Sequence, residues 1–279
     1  MPHRLNEITA GGRTIRWRET EPGSSRADRL EPIVLLHAFP LSAAMWEPQF
    51  DAFDGWRVIA PDIRGFRGPD GPQVERPGSP TMEELAMDVE HVLDALGVPQ
   101  AVIGGLSMGG YLAFALLRRA PARFRGLILA DTRAGADTEE AREGRRQMQA
   151  RAEAGGARAI ADEMLPKLLG ETTKREQPGV ARRVRELVEA NSAAAINGAL
   201  GAMITRQDSR PLLQTITSPT LVIVGEEDTL TPVANSEELQ RGIRGSRLVT
   251  IPSAGHLSNL EQPDAFNRAV RSFLKTSFS

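Results

Sequence analysis

Six short apolar runs punctuate the chain: IVLLHAF (33–39), WRVIAPD (56–62), AVIGGLS (101–107), GLILADT (126–132), TLVIVGEED (220–228) and RLVTIPSAGH (247–256). Each closes on turn formers. Continuous apolar runs of this length suit strands buried on both faces, as in a parallel sheet. Between several of them the hydrophobic period lengthens to that of a helix. Residues 81–96 open with Thr81, carry Glu84 three positions on and stop before Gly97, the pattern of a capping box. Residues 108–121 are apolar almost all round and end at Pro121, which predicts a helix packed on the sheet. Residues 263–276 open with Pro263 and are amphipathic, a terminal helix. Strand–helix alternation of this kind predicts an α/β fold with a mostly parallel, doubly wound sheet and right-handed crossovers.

One region breaks the rhythm. Residues 135–208 contain no strand-like run and are rich in Ala, Arg and Glu at helical spacing. Such a run between two sheet strands reads as a helical cap, with the α/β core formed by residues 1–134 and 209–279. The Gly/Pro-rich stretch 64–80 reads as an irregular surface loop.

Composition narrows the function more than the fold. The 279 residues are long enough for one large domain with a sizeable core, and a net charge of −2 supplies no field that would draw nucleic acid or an anionic membrane. The basic clusters at Arg142, Arg145 and Arg146 and at Arg182, Arg183 and Arg185 are interleaved with acids and read as solvated helix faces. There is no cysteine, which excludes disulfides, thiolate metal sites and a cysteine nucleophile. No stretch approaches the roughly 18 apolar residues of a membrane span, and the first residues lack the apolar segment of a signal peptide. The expected location is the cytoplasm. No cofactor or metal is called for, and the oligomeric state is left open.

The chemistry concentrates at residues 105–109. Gly105-Leu106-Ser107-Met108-Gly109 is a G-x-S-x-G sequence with a strand-like run before it and a helix-like run after it. A sharp strand–helix turn brings backbone close and strains its central residue, which small flanking residues permit. The bend lifts the Ser107 hydroxyl clear of the sheet, beside the free N–H groups of a helix N-terminus. A serine hydroxyl is a poor nucleophile alone, so it needs a base, and the base needs an orienting acid. Of the four histidines, His3 lies near the terminus, His91 lies inside a predicted helix, and His37 closes the first buried strand. His256 lies in a loop of small residues before the last helix, which suits a side chain reaching across strand ends. Asp228 follows a buried strand and gives the chain order Ser, Asp, His. Asp131 also ends a strand and is the rival acid. Asp62 and Arg64 read as residues that hold a loop.

From LLHAFPLSAAMWEPQ through APDIRGFRG, GLSMGGYLA and GEEDTLTP to AGHLSNLEQP, the chain resembles the α/β-hydrolase superfamily over nearly its whole length. The branch it resembles holds small serine esterases, enol-lactonase-like proteins and cofactor-free haloperoxidase relatives. The resemblance implies Ser107 as nucleophile, Asp228 as acid and His256 as base, with an oxyanion hole at the backbone N–H groups of Phe39 and Met108. It implies a small-molecule ester or lactone as substrate, cleaved through an acyl-enzyme. A perhydrolase or a carbon–carbon bond hydrolase would use the same triad, and some relatives are non-catalytic small-molecule receptors. Trp46 and Tyr111 are candidates for the pocket wall, and His37 for support of the oxyanion loop. The chain departs from the family pattern in two places. Ala38 stands where the family has Gly, so that position must take an ordinary backbone conformation, and GFRGPDGP replaces the usual small-residue turn after Asp62 and Arg64.

Overall fold

A computed structural model describes residues 3–20, 31–67 and 79–278. Eight strands form one sheet: β1 (His3–Ala10), β2 (Arg13–Thr20), β3 (Glu31–Leu36), β4 (Trp56–Pro61), β5 (Ala101–Leu106), β6 (Phe124–Ala130), β7 (Thr220–Gly225) and β8 (Arg247–Ile251). Their spatial order is β1-β2-β4-β3-β5-β6-β7-β8. From β4 to β8 every pair is parallel, in registers such as Ile33 with Val102 and Leu106 with Ala130. The strands between β3 and β7 are apolar without alternation because helices cover both faces, and Ile33, Val34, Val102, Ile103, Leu127 and Val222 are wholly buried.

The parallel strands are shorter than the apolar runs that announce them. β3 stops at Leu36, β4 at Pro61, β5 at Leu106, β6 at Ala130, β7 at Gly225 and β8 at Ile251. The last residues of each run therefore fall in loops beyond the strand, which puts His37, Asp62, Ser107, Asp131, Asp228 and His256 at one edge of the sheet. Carboxyl ends of parallel strands are where open α/β sheets bind ligands.

The β1–β2 hairpin lies outside the predicted strands. It pairs antiparallel through a two-residue turn in which Gly11 and Gly12 have φ of 57° and 75°. Gly-Gly between strands is a hairpin signal, but the flanking residues are mostly charged or polar, and the apolar count misses an edge ribbon of this kind.

Eleven α-helices among the described residues surround the sheet: α1 (Glu47–Phe50), α2 (Met82–Ala95), α3 (Met108–Arg119), α4 (Glu139–Leu168), α5 (Glu171–Glu176), α6 (Pro178–Glu189), α7 (Ala193–Thr205), α8 (Arg210–Leu213), α9 (Val233–Gly242), α10 (Ser258–Glu261) and α11 (Pro263–Phe278). α2 begins with the expected capping box: Thr81 Oγ1 accepts from Glu84 N at 3.2 Å, and Glu84 Oε2 accepts from Thr81 N at 2.8 Å. α3 is buried along nearly its whole length. Between β6 and β7 the chain forms helices only, α4 to α8. α4 bends sharply at Gly156, whose φ is 66°. Of the stretch 64–80, residues 68–78 lie outside the described residues. Among the described residues no helix is long and apolar enough to cross a membrane.

Candidate active site

Ser107 joins β5 to α3 with φ 55° and ψ −113°. An L-residue is strained there, and close packing on both sides enforces it. A Cβ added at Gly105 would lie 2.2 Å from the Gly109 carbonyl, and one at Gly109 would lie 2.1 Å from the Leu36 oxygen. Only glycine lets the turn close and lets α3 approach β3. Ser107 N donates to Ala130 O at 2.9 Å, and Thr132 Oγ1 donates to Ser107 O at 2.7 Å, so the turn is also tied to the end of β6.

Three side chains that lie far apart in the chain meet at this turn. His256 Nε2 is 2.7 Å from Ser107 Oγ, and His256 Nδ1 is 2.9 Å from Asp228 Oδ2. His256 and Asp228 are buried, while Ser107 is partly open. With Asp228 accepting at Nδ1–H, the ring carries its lone pair on Nε2, facing the serine hydroxyl. The arrangement can take a proton from Ser107 and hold it as an imidazolium beside a carboxylate.

Asp228 is surrounded by donors. Oδ1 accepts from Leu230 N at 2.8 Å and Thr231 N at 3.0 Å, and Oδ2 accepts from Thr231 Oγ1 at 2.6 Å as well as from the ring. Burial opposes its ionisation, but the His256 ring and the Thr231 donors outweigh burial and hold the carboxyl below its usual value. Sequence reasoning misses Thr231. Its hydroxyl also lies 3.3 Å from His256 Nδ1, and a hydroxyl residue three positions after an acid in a turn is the only linear sign of it.

The rival acid does not reach the histidine. Asp131 (φ 45°) is fully buried; Oδ1 accepts from Gly225 N at 2.7 Å, and Ser258 Oγ lies 2.5 Å from Oδ2. Burial, and then the neighbouring Asp228 charge, push its carboxyl well above the usual value. The two acids at the ends of adjacent strands thus shift in opposite directions. Asp131 joins β6, β7 and α10 through Gly225 N and Ser258 Oγ, while Asp228 faces the ring.

The loop after β3 supplies a second wall. Phe39 N and Met108 N have no acceptor among the described residues, and Phe39 is followed by Pro40 through a cis peptide bond. Ala38 is not among the residues with positive φ. His37 is buried under the loop, where Nδ1–H donates to Ala38 O at 3.0 Å and Nε2 accepts from Ile63 N at 2.9 Å. Burial lowers its pKa to about 4, so the ring is neutral and serves as a bracket. Asp62 Oδ1 accepts from Ala43 N at 2.8 Å, and Arg64 pairs with Asp88 at 2.7 Å. Trp46 is buried against Phe266, and Tyr111 lies under the Arg206 guanidinium, 4.1 Å from ring centre to Cζ. Among the described residues no group of His, Asp and Glu could hold a metal ion.

The helices between β6 and β7 touch the loops that carry Asp228 and His256. Glu227 accepts from Thr172 N at 2.8 Å and from Thr172 Oγ1 at 2.5 Å. Glu261 accepts from Gly170 N at 2.8 Å and from Leu257 N at 3.0 Å. A Cβ on Gly255 would come 2.2 Å from Gly170 N, so the backbone before His256 lies directly on the start of α5.

Residues 31–263 match the family described as alpha/beta hydrolase fold. The chain is 32% identical over 251 residues to 3-oxoadipate enol-lactonase 2 of Acinetobacter baylyi, covering 90% of each protein. Among solved structures, a thermophilic esterase from Thermogutta terrifontis with malate bound is 38% identical, with a TM-score of 0.89 over 99% of this chain and 100% of that one. The enol-lactonase of Burkholderia xenovorans LB400 is 29% identical, with a TM-score of 0.85 over 97% of this chain and 100% of that one. With the sheet order, the serine turn and these matches agreeing from β3 to α11, the chain belongs to the α/β hydrolase family.

Proposed function

We propose that the protein is a serine hydrolase of small carboxylic esters or lactones, with Ser107 as nucleophile, His256 as base and Asp228 as acid. The observation that carries this reading is the unbroken hydrogen-bonded line from Ser107 Oγ through His256 to Asp228, at 2.7 and 2.9 Å. Ser107 Oγ attacks the carbonyl carbon as its proton passes to His256 Nε2. The carbonyl oxygen becomes an oxyanion facing the unpaired Phe39 and Met108 N–H groups, each such donor being worth roughly 3 kcal/mol of barrier. Collapse breaks the acyl–oxygen bond, and the leaving alkoxide takes the proton from His256. Water, deprotonated by the same ring, then attacks the acyl-enzyme and restores Ser107.

Substrate class rests on the relatives: the proteins that this chain resembles over nearly its full length are an esterase and enol-lactonases. Residues 135–208 are proposed as a cap over the serine, since their helices rest on the loops of Asp228 and His256. The test is turnover of short-chain p-nitrophenyl esters and of a small lactone panel by the wild type and by Ser107→Ala. Hydrolysis is expected in the first and none above background in the second; turnover that survives the substitution refutes the nucleophile.

A further inference from the structure

Ala38 N–H is buried in the loop between β3 and Phe39, where no water can reach it. A buried amide of this kind must find an acceptor, and the one it finds is a side-chain sulfur: Met45 Sδ, at 3.2 Å. Met45 lies in the 3-10 turn Ala43–Trp46 and is itself fully buried. Its remaining polar groups are also engaged. Met45 N donates to Ser42 O at 3.0 Å, and Met45 O accepts from Asn259 Nδ2 at 3.1 Å.

Asn259 stands in α10, three positions after His256. Its second amide hydrogen goes to Gln49 Oε1 at 3.1 Å, and Gln49 Nε2 goes on to Asn267 Oδ1 at 2.9 Å. The Asn259 side chain is therefore fixed on two sides. From the backbone beside the proposed oxyanion donor to the short helix after the proposed base there are two hydrogen bonds, and Met45 makes both.

We propose that Met45 is a positioning residue that sets the separation of the Phe39 N–H from the His256 ring. This rests on the serine hydrolase reading given above. A carbonyl between serine and oxyanion donors tolerates little displacement, because errors near 1 Å cost on the order of a hundredfold in rate. Leucine at 45 would fill nearly the same volume and keep the carbonyl bond to Asn259, but it offers Ala38 N–H no acceptor.

The test compares wild type, Met45→Leu, Asn259→Ala and Ser107→Ala by kcat and KM on p-nitrophenyl butyrate. Amide hydrogen exchange at Ala38 and thermal melting are measured on the same proteins. Met45→Leu is expected to lower kcat at least tenfold while KM stays within about threefold, and to speed exchange at Ala38 (a buried swap of this kind is usually well tolerated). Asn259→Ala enters the same link from the other end and should show the same kcat-weighted loss. A folded Met45→Leu with kcat within twofold of wild type, a loss carried by KM, or unchanged Ala38 exchange overturns the proposal. Absent wild-type turnover, or turnover that survives Ser107→Ala, refutes the hydrolase reading instead, and the Ala38 exchange rate then decides the Met45 contact alone.

Discussion

Ser107 is held where an L-residue is costly, and that cost has a measurable sign. Residues at such φ/ψ carry roughly 1–3 kcal/mol of strain, which glycine does not feel. Ser107→Gly should therefore be more stable than Ser107→Ala by about 1 kcal/mol or more in denaturant melts, the reverse of the usual order, although both lack the hydroxyl. Thr231 makes a second prediction. Removing its hydroxyl leaves Asp228 Oδ2 with one donor in place of two, and the carboxylate is held less firmly against the ring. Thr231→Val should lower kcat/KM by about three- to tenfold, the worth of one such hydrogen bond, and Thr231→Ser should restore it. Unchanged kcat/KM in Thr231→Val would show that Thr231 is only packing. At this scale the sequence is most informative where chemistry needs a rare residue in a marked setting. Ser107 lies between glycines, and His256 is one of four histidines. Met45 and Asn259 are ordinary residues that meet from distant parts of the chain, and Thr231 shows only as a hydroxyl three positions after Asp228, so little in the linear sequence marks them.

At the scale of elements, periodicity identifies the buried strands and α2, α3 and α11, since core burial leaves a pattern that composition cannot hide. It misses the β1–β2 hairpin, whose strands carry Arg, Glu and Thr at the sheet edge. It also gives no hint of the sharp bend at Gly156 or of how the helices between β6 and β7 rest on the core. That contact is tightest at Gly255 and Gly170. Gly255→Ala would place a methyl group 2.2 Å from Gly170 N, a backbone atom that cannot swing aside. Overpacking of this kind costs typically 1–3 kcal/mol. The variant should melt several degrees lower and lose kcat/KM, because the displaced backbone carries His256. A variant with unchanged melting and kinetics would show that the α5 start yields freely.

Over the whole molecule, two buried groups beside the β3 loop make stability respond to pH in opposite directions. His37 is lowered by burial to about 4, so as pH falls from its ordinary 6.5 the unfolded chain gains the proton first and the fold loses stability. Asp62 is raised by burial from 3.8 to about 6, so over much of that window the native state holds the proton that the unfolded chain has released, and the fold gains stability as pH falls. About two pH units separate the folded from the unfolded value in each case, a contribution on the order of 3 kcal/mol apiece, and between pH 6 and 4 the two offset. Asp62→Asn removes only the second and leaves the Ala43 N–H with an acceptor. Urea unfolding at pH 6 and pH 4 should show a much steeper acid loss in this variant than in wild type; equal losses would exclude the pairing.

The grip of Glu227 and Glu261 on Thr172 and Gly170 has a consequence for remodelling the protein. Residues 135–208 leave the sheet after β6 and return before β7, so a foreign helical segment could be spliced in without breaking a strand. Such a graft would still have to present two backbone N–H groups and a bare Cα where Gly170 and Thr172 now stand. One that did not would take donors away from both carboxylates next to Asp228 and His256, leaving Glu261 with Leu257 N alone of the two named above. Exchange of the whole helical segment therefore turns on its docking point at 170–172, where Glu227, Glu261 and Gly255 receive it.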